Sequence, residues 1–213
     1  MPGSAWMSRA ILVSGALIGT QASSVLAQGI SFAPNVGVYI PTTELVKAAS
    51  GEEFKQEMSI TLGGRLGVAL TQRFGLEFTG AYAPSDLKVS ASGVGDQNAD
   101  ANVFTGSGRV SYQLVPYTSP VAFVITGGLG VINRSGDFYA DVEHKTDIGG
   151  TVGASARFRV GSLLRLQLSA EDYIYKSKAE IPGFAASADK TQNDIHISLG
   201  VGIPLLGLGQ MGK

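Results

Sequence analysis

The chain has 213 residues, of which 29 are glycine, 44% are hydrophobic and only 15% are charged. Soluble domains average about 25% charged residues, so this composition is poor in charge for a surface that meets water. The formal net charge is −1. The chain has no block of basic residues, which excludes a nucleic-acid-binding protein that works by neutralising phosphates. The chain contains no cysteine, which excludes disulfides and thiolate metal sites.

The N-terminal residues have the pattern of a secretory signal peptide. Arg9 precedes an apolar run over 10–19, and Val25-Leu26-Ala27 places small side chains at the −3 and −1 positions of a cleavage site. The run is too short for a membrane-spanning helix, which needs roughly 20 apolar residues. We therefore predict that residues 1–27 form a signal peptide that is cleaved after Ala27, and that the mature protein is exported.

Behind this leader, apolar and polar residues alternate with a period of two. Within 59–70, for example, Ile60 and Leu62 alternate with Thr61 and Gly63, which is typical of a strand with two different faces. The alternation predicts eight strands at 30–40, 59–70, 74–83, 104–114, 121–133, 148–158, 164–171 and 195–203.

Short and long connections also alternate along the chain. The predicted short turns lie at 71–73, 115–120 and 161–162, and the predicted long loops lie at 41–58, 84–101, 134–147 and 176–193. Bacterial outer-membrane barrels have this layout, with tight periplasmic turns and long external loops. We therefore predict an all-β fold, an eight-stranded antiparallel up-and-down transmembrane β-barrel over 28–205, followed by a short glycine-rich tail at 206–213.

The polar faces of the strands indicate which side of the barrel meets lipid. They consist mainly of glycine, alanine, serine and threonine with few charges, whereas a wall facing water carries many. A secreted soluble barrel, with its apolar face inside, is the alternative. In the membrane reading the charges lie in the lumen, where arginine and glutamate can pair. The predicted lumen ion-pair network consists of Arg65, Glu77, Arg109, Arg157, Arg165 and Glu171.

Two segments near the C-terminus resemble the last strands of a known family. Residues 164–175 (LRLQLSAEDYIY) and 193–205 (NDIHISLGVGIPL) are similar to the penultimate and final strands of small eight-stranded outer-membrane proteins, the OmpA/OmpX-like superfamily. The resemblance implies a monomer in a Gram-negative outer membrane, surrounded by outer-membrane lipid and assembled by the barrel insertion machinery. This chain departs from the family in ending its last strand on Ile203-Pro204-Leu205 rather than on an aromatic residue.

One pair of residues raises the question of enzymatic activity. His196 and Ser198 form a His-x-Ser pair on the final strand, with Glu171 on the preceding one, and eight-stranded lipid A deacylases use a similar triad. In this chain, however, the pair falls on the predicted lumen face, and Leu199 stands where those enzymes have asparagine. We therefore interpret His196 as a hydrogen-bonded lumen residue and predict no enzymatic activity and no cofactor.

The predicted external loops are acidic. Asp137, Asp141, Glu143 and Asp147 in the third loop could attract divalent cations, but their spacing is not that of an EF-hand, so no metal site is predicted. Counting Asp194 with the fourth loop, the net charge of the four loops together is −6. Such a surface repels anionic groups, which disfavours nucleic acid and a dedicated lipopolysaccharide clamp as partners.

These observations favour a structural or surface-interaction role, with the external loops contacting a ligand that the sequence does not identify. The alternative is a narrow pore for small solutes, because the lumen is rich in small residues. Four predicted lumen arginines against two glutamates would make such a pore prefer anions.

Overall fold

The computed structural model describes residues 29–42, 46–47, 53–91, 94–115, 119–136, 139, 145–161, 164–176 and 191–206. The predicted signal peptide and the tail beyond residue 206 lie outside these residues, so both remain predictions. No helix in the described ranges is long and apolar enough to cross a membrane.

Within the described residues, eight strands form a closed antiparallel barrel. They are β1 (Gly29–Pro41), β4 (Ser59–Ala69), β5 (Phe74–Ala83), β8 (Asn102–Gln113), β9 (Val121–Ser135), β10 (Thr146–Val160), β11 (Leu164–Lys176) and β12 (Thr191–Leu206). Each strand pairs with its neighbours in sequence, and β1 pairs with β12 to close the barrel. The predicted all-β barrel and its eight strands are confirmed.

The two faces of the wall separate as the alternation predicted. Leu199 is 50% exposed and Ile148 is 75% exposed on the outside, whereas Arg65 is 6% and Thr61 is 2% exposed on the inside. A continuous apolar outer surface of this kind is stable in a lipid bilayer and not in water. The secreted soluble barrel required the opposite arrangement, with the polar face outside, so that alternative is wrong.

The connections at one end of the barrel are tight. In the turn from β4 to β5, the Thr71 hydroxyl accepts hydrogen bonds from the backbone N–H groups of Phe74 (2.9 Å) and Arg73 (3.2 Å). In the turn from β10 to β11, Gly161 has a φ of 67°, a left-handed conformation that favours glycine. By the usual layout of outer-membrane barrels, this end faces the periplasm.

At the opposite end, the structure contains a second sheet that sequence reasoning missed. Four strands lie within the predicted loops 41–58 and 84–101: β2 (Val46–Lys47), β3 (Glu53–Gln56), β6 (Asp86–Ala91) and β7 (Val94–Asp100). Their order, β2-β3-β6-β7, repeats the order β1-β4-β5-β8 of the adjoining wall. We call this feature the external sheet.

Backbone hydrogen bonds continue across the junction between the wall and the external sheet. The Glu57 N–H donates to the Asp86 carbonyl (3.2 Å), and the Ala101 N–H donates to the Ser85 carbonyl (2.7 Å). The external sheet is therefore an extension of half of the barrel wall.

The other two external connections are shorter than predicted. Strands β9 and β10 extend to Ser135 and from Thr146, so Arg134 and Asp147 belong to the wall and not to a loop. Asp194 likewise lies within β12 and is buried. Lys176 is the last residue of β11. Because Arg134 cancels Asp147 and Lys176 cancels Asp194, the net charge of the external connections stays at −6.

Candidate functional site: the barrel lumen

The central layer of the lumen is a network of ion pairs, which we call the central cluster. It consists of Arg65 on β4, Glu77 on β5, Arg109 on β8, Arg157 on β10 and Glu171 on β11. All five side chains belong to the inward-facing set of their strands. The structure thus brings together five of the six residues that the sequence predicted for this network.

Each carboxylate of the central cluster is shared between arginines. Glu171 accepts from Arg65 and from Arg109 Nη2 (2.9 Å). Glu77 accepts from Arg157 and lies 3.5 Å from Arg65 Nε and 3.8 Å from Arg109 Nη2. Three guanidinium groups therefore surround two carboxylates, which gives the cluster a net charge of +1.

The central cluster is buried. The Arg109 side chain has no solvent exposure, and the other carboxylates and guanidinium groups of the cluster are largely buried. Arg65 Nη1 also donates to the Ser169 hydroxyl (2.7 Å), which fixes the guanidinium across the lumen. A buried charge of this kind is tolerated only while its partners remain in place.

Arg165, the sixth predicted member, has a different position. It lies nearer the periplasmic end, directly opposite Arg159 in the pairing of β10 with β11, and lines a small cavity with Arg157. The physical reason is distance along the strand. Arg165 lies six residues before Glu171 on β11, and six residues correspond to about 20 Å of strand length. The prediction that all six side chains form one cluster therefore needs this correction.

A second polar layer lies closer to the external end, and we call it the upper cluster. It consists of Tyr39, Arg134, Asp147, Tyr175 and Asp194. Arg134 donates to Asp147 Oδ2 (2.7 Å) and to the Tyr175 hydroxyl (2.7 Å). The hydroxyls of Tyr175 (2.6 Å) and Tyr39 (2.7 Å) both donate to Asp194.

Sequence reasoning missed the upper cluster because it assigned two of its members, Arg134 and Asp147, to a loop. The signal that could have found them is the two-residue alternation, because residues two apart on a strand face the same side of the wall. Arg134 lies two residues after the buried Ile132, and Asp147 lies two residues before Gly149 on the next strand. Both therefore continue the lumen-facing set of their strands beyond the point where the predicted strands ended.

Above the central cluster, apolar and aromatic groups fill the lumen. Tyr39, Ala83, Val103, Ile132, Tyr173 and Tyr175 form one buried cluster. Tyr139, from the connection between β9 and β10, is also buried, and this burial raises the pKa of its phenol to about 12. Tyr139 therefore adds a protonated side chain to the buried groups at the external end of the barrel.

A close approach at Gly130 allows this filling. A Cβ atom built on Gly130 would lie 2.7 Å from Cδ1 and 2.9 Å from Cε1 of Tyr173, which is nearer than Cβ contacts normally come. The Tyr173 ring thus lies directly against the backbone of β9. Glycine at this position makes room for a large side chain within a narrow barrel.

The His-x-Ser pair lies inside the barrel. His196 is 5% exposed, and its ring packs against Tyr39 (5.1 Å between centroids) and Tyr173 (5.2 Å). Its Nε2 atom has no hydrogen-bond partner among the described residues. Glu171 stands opposite His196 in the strand pairing, but its carboxylate is engaged by Arg65 and Arg109. The arrangement does not bring these residues to a lipid substrate.

The acidic residues of the third predicted loop separate in the structure. Asp147 lies in the wall and is paired with Arg134. Asp137, Asp141 and Glu143 lie outside the described residues. In the described part of the chain, no group of three or more histidine, aspartate or glutamate side chains is placed to hold a metal ion.

Comparison with known proteins agrees with this architecture. The family model of the outer membrane protein β-barrel domain matches residues 11–202. Among solved structures, OprG from Pseudomonas aeruginosa has a TM-score of 0.64 at 14% identity, with 83% of this chain and 95% of that one covered. Neisserial surface protein A has a TM-score of 0.55 at 12% identity, covering 83% and 96%. No curated protein sequence matches. The chain belongs to the outer membrane protein β-barrel family.

Proposed function

We propose that this protein is a non-conducting structural barrel of the outer membrane that presents its external sheet as a contact surface. The observation that carries the proposal is the filled lumen. An eight-stranded barrel is only wide enough for its side chains, and here two hydrogen-bonded polar layers and an apolar cluster occupy the interior. In this proposal the barrel is a monomer that contacts outer-membrane lipid and is inserted by the barrel insertion machinery.

The external sheet supports the contact role. It extends beyond the wall of β1, β4, β5 and β8, and within the described residues the far edge of β7 pairs with no other strand. An unpaired strand edge offers backbone donors and acceptors to an extended partner. The net charge of −6 on the external connections favours partners that are neutral or cationic.

A narrow anion-preferring pore is the second candidate. It is favoured by the excess of guanidinium groups in the central cluster and by two further arginines, Arg159 and Arg165, which line a small cavity at the periplasmic end with Arg157. In this alternative the lumen conducts, either freely or only when the external sheet does not close it as a lid. A deacylase is not favoured, because His196 and Ser198 belong to the lumen-facing set.

Planar-bilayer recordings distinguish the two candidates. We expect no stable conductance from the full protein, nor from a variant in which residues 88–98 are replaced by an Asn-Gly turn. That variant keeps the Leu87–Ala99 pair and closes it with a favoured two-residue hairpin, so the barrel itself is unchanged. Conductance in both proteins, with reversal potentials that indicate anions, would replace the proposal with the pore. Conductance in the shortened variant alone would identify the external sheet as a lid.

A further inference from the structure

The lipid-facing side of β11 carries a carboxylate, that of Asp172. This residue is partly exposed and lies between the buried Glu171 and Tyr173, so it belongs to the outward-facing set of its strand. Its partners in the neighbouring strands are Val152 and Ile195, so the carboxylate has apolar neighbours on both sides. An ionisable side chain on the lipid face of a membrane protein is costly and is typically retained for a function.

Asp172 lies below the external edge of the apolar wall. Ile174 follows it on the same face, nearer the external end, and is 39% exposed. The next residue on this face is Lys176, which is exposed and ends β11. Lys176 lies four residues beyond Asp172, a distance of about 14 Å along the strand and about 10 Å in depth at a strand tilt of about 40°. This face therefore presents a cation near the membrane interface and an acceptor deeper in the wall.

The protein uses only part of the hydrogen-bonding capacity of the Asp172 carboxylate. The side-chain amide of Asn193 donates to Oδ2 (3.2 Å), whereas Oδ1 has no hydrogen-bond partner among the described residues. Asn133 and Thr146, a polar pair on the outer face of β9 and β10, instead bond to each other (2.7 Å). Because the Asp172 side chain is partly exposed and its terminal torsion is broad, a donor in the lipid phase can reach the carboxylate.

We propose that this face of β11 binds an outer-leaflet glycolipid that has phosphates on its sugar headgroup and amide-linked, hydroxylated acyl chains. In such a lipid the amide N–H and hydroxyl donors lie beneath the phosphates, at the upper ends of the acyl chains. Asp172 accepts a hydrogen bond from one of these donors, and Lys176 pairs with a phosphate. A glycerophospholipid does not fit in the same way, because the ester groups beneath its phosphate only accept hydrogen bonds.

This binding face lies on the barrel wall and not on the acidic external connections. The negative charge of those connections disfavours a clamp for phosphates made by the loops. On the wall, the lipid is selected by donors beneath its phosphates and not by attraction to the loops. Binding at this face is independent of the contact role proposed for the external sheet and of conduction through the lumen, so the two proposals can fail separately.

Native mass spectrometry of the folded mature protein in maltoside micelles measures the affinity for lipid A, a glycolipid of this class, and for phosphatidylglycerol. Asp172→Leu should weaken lipid A binding by about tenfold, the size expected for loss of one hydrogen bond to a charged group. Asp172→Asn should fall between, because it keeps an acceptor and loses the charge. Phosphatidylglycerol should bind the intact protein more weakly, and Asp172→Leu should leave its affinity unchanged. In phosphatidylcholine vesicles, Asp172→Leu should raise the unfolding midpoint, because it removes an ionisable group from the lipid face.

Asp86→Asn is the matched control. Asp86 is an exposed carboxylate at the start of β6, so its neutralisation changes the net charge as Asp172→Asn does and leaves the wall intact. Its lipid A affinity should equal that of the intact protein. Equal losses from Asp86→Asn and Asp172→Asn would mean a general charge effect and would overturn the site. Unchanged lipid A binding by Asp172→Leu, an equal loss of phosphatidylglycerol binding, or a lower unfolding midpoint for Asp172→Leu would each overturn it as well.

Discussion

Replacing Glu171 with glutamine should destabilise the barrel by about 3 to 5 kcal/mol, the cost measured when one partner of a buried ion pair is removed. Glu171 accepts hydrogen bonds from both Arg65 and Arg109, and the Arg109 side chain has no exposure to solvent. With a neutral amide at position 171, Arg65 and Arg109 would have to share Glu77, the remaining carboxylate of the cluster, with Arg157. The loss therefore exceeds that of an ordinary hydrogen bond.

Urea unfolding in lipid vesicles, followed by circular dichroism, measures this effect. Asp100→Asn is the control, because Asp100 is an exposed carboxylate at the end of β7 that adjoins the barrel wall and its neutralisation should change the unfolding free energy little. An Arg65→Met, Arg109→Met, Glu171→Gln triple variant should recover part of the loss, since it removes the uncompensated charges as well. Equal unfolding midpoints for Glu171→Gln and Asp100→Asn would show that the central cluster does not support the fold.

An arginine in place of Leu199 should cost about 2 to 4 kcal/mol, the range for a cation at the midplane on the lipid face of an outer-membrane barrel. Leu199 is half exposed on the outer wall, and its partners in the neighbouring strands are Val36 and Leu168. No acidic side chain belongs to this part of the outer face among the described neighbours. The guanidinium would have to reach an interface through the apolar band.

The matched control is Leu205→Arg, on the same strand and the same face. Leu205 is also exposed, but it lies one residue from the end of β12, where the cost of a cation near the membrane interface falls to about 0 to 1 kcal/mol. Vesicle unfolding of the two variants gives the difference directly. A Leu199→Arg protein as stable as Leu205→Arg would place this wall in water.

The sequence was sufficient for the barrel because one physical rule governs every strand. In a wall between lipid and a packed lumen, polar and apolar side chains must alternate along each strand. Neighbouring residues such as Arg65 and Leu66, or Ser198 and Leu199, show this alternation in the sequence. The central cluster followed from the same rule, since Glu77 and Glu171 fall on the same face as the arginines. Which arginine meets which carboxylate depends on strand register, and register is not a local property.

The external sheet and the upper cluster escaped prediction for different reasons. The sheet is built from short segments such as 94–100, whose Gly95, Asp96 and Asn98 are residues that strands usually lack. Its strands form because strand pairing continues from the barrel wall into these segments, which is a tertiary effect and not a local sequence preference. The upper cluster escaped prediction because Arg134 and Asp147 lie at the ends of strands, where polar residues are typical of loops. Only their two-residue spacing from lumen-facing neighbours indicates that they belong to the strands.

Thiol labelling of single cysteines tests the assignment of the two faces most directly, and the natural absence of cysteine leaves no background. Cysteines at Val68 and Leu199 should react with a maleimide confined to the bilayer, while those at the adjacent Gly67 and Ser198 should not. Because neighbouring residues differ only in the face they occupy, each pair controls for position along the strand. A bilayer reagent that labels Gly67 and Ser198, and leaves Val68 and Leu199 unmodified, would contradict a barrel with lipid outside and a charged lumen.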